Sequence, residues 1–223
     1  MNKTAIILFA ESPDIEARKK QFSHVSSFLS SKEISTALTK HTLELVSKCK
    51  RDFYWIDSLK QHGNSFGEKI TNAFADMFSM GYEHVICLGN DTLQLSQKHL
   101  SAAIDAVEQQ KIILGPSCDG GTYLIGFSKK YFNDASFKNI KWQSSKTYKN
   151  LKEIFCNSEI VETELLEDFD YYSILKKLPE SPILSLIKAI IFVFKINFKT
   201  FVTHYDKVFV YNYKALRAPP ALA

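Results

Sequence analysis

Three short stretches of the 223-residue chain place acids and bases just where apolar runs end. Glu11, Ser12, Pro13, Arg18, Lys19 and Lys20 follow the run at 5–10, Gly89, Asn90 and Asp91 follow 84–88, and Gly115, Pro116 and Asp119 follow 112–114. Separate carboxylates beside a basic loop suit a metal-bridged diphosphate. Mg²⁺ or Mn²⁺ takes hard oxygen ligands, and lysines offset the phosphate charge that remains. Asp91, at the end of a buried strand, is better read as a nucleotide or metal ligand than as a turn acid. Asp119 precedes Gly120 and Gly121. An Asp-Gly turn tolerates positive φ, which alone would explain the trio, but residues without Cβ also give a bulky ligand room beside the acid. That favours an acceptor-site acid or general base. Arg18, Lys19 and Lys20 also fit the solvated face of a helix. Cys118 lacks a nearby histidine and a thiolate-stabilising setting, which disfavours it as a nucleophile. His62 and His84 read as surface or strand histidines.

These groups converge only if the runs before them are strands of one sheet. The continuous apolar stretch at 5–10 has the character of a parallel strand covered on both faces. A polar-rich helical segment follows, with Phe22, Val25, Phe28 and Leu29 at helix spacing, then a second helix over 34–49. Residues 53–56 and 84–88 are expected strands, with a helix over 66–80 between them that Gly81 stops. Ser96 is an expected N-cap for a helix to about residue 110, and 112–114 the next strand. This alternation implies a right-handed parallel α/β sheet, with ligands beyond the carboxyl ends of its strands. The run at 122–127 begins too soon for a helical crossover, so the chain must turn back there. A helix over 144–155, an edge strand at 159–163 and a helix over 171–178 complete the expected body.

Composition bounds the partners. At 45% hydrophobic and 23% charged residues the chain is of ordinary globular character and long enough for one substantial core. Its net charge of +4 lies wholly from Pro179 onward, where six basic residues meet two acids; the remainder has 22 basic against 22 acidic. A neutral body without a basic stripe argues against nucleic acid. The four cysteines are far apart and lack C-x-x-C pairing, as expected of buried thiols in a reducing compartment. The short apolar run near the N-terminus fits a first strand rather than a signal peptide, so a cytoplasmic location is expected, at most peripheral to the inner face of the membrane. In the mostly apolar stretch 183–202, Lys188, Lys195 and Lys199 fall within about 40° on a helical wheel. Each would cost roughly 2.5 to 3.5 kcal/mol near a bilayer centre, so this segment is expected to lie flat. Packing on the body is the preferred reading, with a second subunit or an anionic membrane surface as alternatives. The expected organisation is a folded body over 1–178, a basic amphipathic extension over 179–217 and a disordered tail over 218–223.

The string GNDTLQLSQKHLSAAIDAVEQQKIILGPSCDGGTYLIG, residues 89–126, resembles the central block of a bacterial family of GT-A-like transferases. These are related to nucleotide-diphospho-sugar transferases and are described as glycosyltransferases of arsenosugar biosynthesis or as radical-SAM/selenodomain-associated transferases. Gln61, Gly63 and Gly67 in QHGNSFGEK, Trp142 in NIKWQSS, and Asp168 and Asp170 in EDFDYY extend the likeness over about residues 4–178. Glu16 stands at the family's first-loop glycine, Lys19 at its lysine, and Lys20 and Gln21 at its Thr-Arg pair. Leu93 replaces the proline of Gly-Ser-Asp-x-Pro, whose acid is kept as Asp91. Tyr171 and Ser173 stand at the threonine and final acid of the late motif. The resemblance implies a single-domain, GT-A-like α/β fold with a mixed, mainly parallel sheet flanked by helices. It implies glycosyl transfer from a nucleotide-diphosphate donor to a small or lipid-linked acceptor. Lys19, Gly67, Asn90 and Asp91 would bind the nucleotide, Asp91 and Asp170 a Mg²⁺ or Mn²⁺ ion, Gly120, Gly121 and Trp142 the substrate, and Asp119 would act on the acceptor. Asp170 serves equally well as an N-cap for the expected 171–178 helix. Nucleotidyl transfer on the same fold is one alternative. A catalytically reduced relative serving in binding or assembly is the other, motivated by the altered first loop and the unusual tail.

Overall fold

The computed structural model describes residues 3–20, 22, 28–169, 175 and 177–196. Among these, the expected strand runs form one six-stranded sheet in the order β2-β1-β3-β5-β4-β6. The strands are β1 (Thr4–Phe9), β2 (Asp52–Ile56), β3 (His84–Leu88), β4 (Ile112–Pro116), β5 (Thr122–Ser128) and β6 (Ile160–Glu162). β1 is parallel to both β2 and β3, and β4 to β6. β5 alone runs the other way, antiparallel to β3 and to β4. The early turn-back after β4 therefore has a structural purpose that spacing did not disclose: β5 fills the gap that the β3-to-β4 crossover leaves open.

Both faces of the sheet are covered, as the unbroken apolar strands demand. Ile7, Val85, Leu114 and Phe127 point to one side, against Ile70, Phe74, Met77 and Phe78 of α3 (Phe66–Ser79). Their sequence neighbours Ile6, Ile86 and Ile113, and Leu124 of β5, point to the other, against Leu100, Ala103 and Val107 of α4 (Gln97–Glu108). The period-two alternation within each strand thus feeds two separate cores. Phe74 stacks on Phe127 at 4.7 Å and meets Phe137 edge-on at 5.1 Å, arrangements that ring quadrupoles favour.

The region after β1 breaks into two helices, α1 (Pro13–Lys19) and α2 (Phe28–Ser47). Pro13 opens α1 at a position where its missing N–H costs nothing. Phe28 and Leu29 begin α2, and the expected helical spacing through Val25 lies outside the described residues. The short α5 (Asp134–Lys138) was not anticipated, since five residues are too few to show a period; α6 (Thr147–Ile154) lies within the expected 144–155 helix. The expected 171–178 helix falls largely outside the described residues. A third apolar cluster joins Ile34 and Leu38 of α2 to Leu93, Phe169, and Ile183, Leu184 and Ile187 of a further helix, α7, over residues 182–196. Among the described residues no helix is long and apolar enough to cross a membrane.

Candidate active site

A cleft of about 460 Å³ opens at the carboxyl ends of β1 and β3 and the facing ends of β4 and β5. Strands of opposite direction meet there, so loops from both halves of the sheet converge, which is where open α/β sheets hold ligands. One wall comes from the first half of the chain and carries lysines and amides. The other comes from the second half and carries an acid–glycine turn and Trp142.

The first wall is organised around a buried acid. Glu16 on α1 is 5% exposed, accepts a short hydrogen bond from Ser35 of α2, and accepts another from Asn90 Nδ2 at 3.0 Å. The same Asn90 nitrogen reaches Thr39 Oγ1 at 3.0 Å. Glu16 and Thr39 thus both accept from the Asn90 NH₂, and Asn90 and Glu16 both line the cleft. Burial pushes the Glu16 carboxyl above its ordinary range, against the opposing pull of Ser35, Asn90 and Lys20. Lys20 Nζ lies 2.7 Å from Asp91 Oδ2 and 3.9 Å from Glu16 Oε1, bridging the two acids. Lys19, the expected phosphate lysine, instead pairs with Glu11, which also accepts from Ser58. Both lysines line the cleft, together with Lys69 from α3.

The second wall is held locally. Asp119 Oδ1 accepts from Ser117 Oγ at 2.6 Å and from the Gly121 amide at 2.8 Å, so one oxygen fixes the turn while Oδ2 is left for other work. The two glycines are explained by the protein itself. Gly120 has φ +84°, and a Cβ there would stand 2.3 Å from the Ser145 carbonyl oxygen; a Cβ on Gly121 would meet Asp119 Oδ1 and Ser117 Oγ, both at 2.9 Å. Gly121 lines the cleft, whereas Gly120 packs against Ser145 beyond the lining. Gly67 likewise lies beneath the wall: its missing Cβ lets α3 approach Lys138 O and Trp142 Cδ1. Trp142 lines the cleft itself, its Nε1 donating to Phe137 O at 2.9 Å and its ring edge-on to Phe137 at 5.1 Å.

Asp168 is the acid that sequence reasoning undervalued. The resemblance includes it in the late motif but gives the metal role to Asp170, which lies outside the described residues. The Phe169 amide donates to Asp91 O at 2.8 Å, and this backbone contact brings the 168–169 segment alongside the end of β3. Asp168 accepts from Thr92 Oγ1 at 2.9 Å and lines the cleft. Its carboxyl is pushed up to about 7, first by burial and then by the charges of Asp91 and Asp119. Nearby Cys118 has its thiol pushed up by desolvation and by Glu167, Asp168 and Asp119, the opposite of an activated nucleophile. His62 is an exposed partner of Asp76, and buried His84 bonds Ser128.

Among the acids that line the cleft, Asp91 and Asp168 can offer hard carboxylate oxygens to a divalent cation. Among the described residues no three His, Cys, Asp or Glu side chains are gathered as ligands. Two carboxylates suffice for an ion that takes its remaining ligands from phosphates and water, so the donor set fits Mg²⁺ or Mn²⁺ bound together with a diphosphate.

Comparison with known proteins agrees with the architecture. A structure from Desulfovibrio desulfuricans, provisionally described as a nucleotide-diphospho-sugar transferase, superposes with a TM-score of 0.73 at 18% identity, covering 87% of this chain and 98% of that one. It shows that the fold is that of the nucleotide-diphospho-sugar transferases. More distant are Rv0371c from Mycobacterium tuberculosis (TM-score 0.45, 11% identity, 81% and 98% covered) and the bifunctional IspDF from Campylobacter jejuni (0.44, 13%, 78% and 54%). No functionally curated protein matches the chain in sequence. The model of the family described as "Uncharacterized protein conserved in bacteria (DUF2064)" matches residues 33–144, half of the chain, and the protein belongs to that family.

Proposed function

We propose that this DUF2064 chain is a metal-dependent transferase that moves a sugar from a nucleotide-diphosphate donor to a hydroxyl acceptor. The observation that carries the reading is the facing of Asp91 and Asp168 with Lys19, Lys20 and Lys69 around one cleft at the sheet's ligand edge. The nucleotide-diphospho-sugar transferase description of the Desulfovibrio relative supports the donor class. Asp91 and Asp168 would hold Mg²⁺ or Mn²⁺, with Asp170 two residues further along the chain. The ion's chemistry is to stabilise negative charge on the diphosphate. Lys20 and Lys69, with Lys19 released from Glu11, balance the charge that develops on the leaving group. The acceptor oxygen bonds to the anomeric carbon as the bond to the diphosphate oxygen breaks, and Asp119 Oδ2 takes the hydroxyl proton. Asn90 offers its carbonyl oxygen to a hydroxyl of the donor, and Trp142 gives the sugar a flat apolar wall.

Calorimetry with a panel of nucleotide sugars and Mn²⁺ tests this reading. Asp91→Asn is expected to abolish the metal-dependent part of binding, and an unchanged isotherm would sink the assignment. Product analysis separates the fold's two chemistries: nucleoside diphosphate marks glycosyl transfer, whereas pyrophosphate marks nucleotidyl transfer.

A further inference from the structure

Helix α7 is apolar on more sides than the body covers. Ile183, Leu184 and Ile187 are buried against Leu38, Leu93 and Phe169. Leu186, Ala189, Phe192 and Val193 succeed one another at i, i+3, i+6 and i+7 and so share a face turned away from that contact. Leu186 is 50%, Phe192 63% and Val193 51% exposed. A lone exposed leucine is ordinary, but adjoining apolar side chains on one helix face mark an interaction surface. Lys188 and Lys195, seven residues apart, edge this face, with Lys188 paired to Glu180 at its start.

We propose that this face docks on the anionic surface of a phospholipid bilayer, with α7 lying in the interface and its lysines at headgroup level. Charge selects this occupant. The whole net charge of +4 resides from Pro179 onward, while the rest of the chain is neutral. A second copy packed through the same face about a two-fold axis would set Lys188, Lys195 and that excess charge against themselves. Residues 197–223 carry Lys199, Lys207, Lys214 and Arg217 against Asp206 alone, so the sequence that follows α7 is itself net positive. An anionic bilayer answers both features, since apolar side chains enter the acyl boundary while long lysine stems reach the headgroups. The inward face of α7 rests on Leu93 and Phe169, beside Asp91 and Asp168 in the chain, so docking holds the cleft at a set position relative to the membrane. The proposal stands independently of the reaction in that cleft.

Flotation of the full chain with phosphatidylcholine vesicles, with and without phosphatidylglycerol, tests it. The protein should rise with the anionic vesicles alone and be released by salt. Leu186→Asn with Val193→Asn should lower the bound fraction about tenfold, and Lys188→Glu with Lys195→Glu by a similar factor, all with the thermal midpoint unchanged. Failure to float with anionic vesicles, or equal flotation with neutral ones, overturns the proposal. So does a drop in thermal midpoint in the Leu186/Val193 variant, which would mean that the protein's own chain covers the face. Light scattering that finds a dimer dissociated by the same substitutions would assign the face to a second copy instead.

Discussion

The two walls of the cleft are built on different principles. The lysine wall depends on partners far apart in sequence: Glu16 on α1, Ser35 and Thr39 on α2 and Asn90 after β3 form one buried polar set. The Asp119 wall is local, its acid, serine and two glycines lying within five consecutive residues. A change in the first wall must propagate through several elements, whereas a change at Asp119 is felt within its own turn and one at Gly120 reaches Ser145 alone outside it among the close contacts. Glu16, where the family resemblance would place a glycine, is thus part of a coordinated network with Ser35, Thr39 and Asn90.

The contrast can be broken most severely at Gly120. Gly120→Ala combines a left-handed backbone with a Cβ driven against the Ser145 carbonyl, and is expected to cost about 3 kcal/mol or more in chemical denaturation. An unchanged midpoint would remove the packing explanation of this glycine. The next effect separates the lysines. Lys20→Ala should weaken nucleoside diphosphate binding about tenfold, and Lys19→Ala, whose side chain is exposed, no more than about twofold. The reverse order in calorimetry would restore Lys19 as the principal phosphate ligand.

The smallest effect probes Glu16 by pH. Its folded-state carboxyl is raised above the ordinary 4.5, so the folded protein holds this proton more tightly than the unfolded chain. Its contribution is fully favourable below pH 4.5 and declines as pH rises towards the folded value. Glu16→Gln, which keeps an acceptor for Asn90, should therefore gain thermal stability relative to the parent as pH rises from 4.5 to neutral. A difference that does not vary with pH would show that burial of charge is not what governs this site.

Much of this architecture was legible from apolar runs alone. β1, β3 and β4 are covered on both faces, and their sequences show it without ambiguity. The placement of β5 was not legible, because periodicity identifies a strand but not its neighbours. Asp91, Asn90, Asp119, Lys19 and Lys20 could be brought to one edge by counting strand ends, and Trp142 through the family resemblance. The pairing of Lys20 with Asp91 and the place of Asp168 could not be: they depend on a loop's path and on the backbone contact from Phe169 to Asp91. The two glycines taught a different lesson, since the space that their residue type promised to a ligand is taken up by Ser145 and by the Asp119 carboxylate.

The single reversed strand also has a consequence for how the chain is made. Until synthesis passes residue 128, β3 has β1 on one side and an unpaired edge on the other, and from Val85 to Leu88 that strand is apolar on both faces. An open edge of this kind invites pairing with other chains. The short connection from β4 to β5 lets these two pair first as a local hairpin and then enter the gap together, closing the vulnerable edge in one event. Slower or weaker β4–β5 pairing should thus surface as aggregation during expression before it appears as any loss in the finished protein's stability.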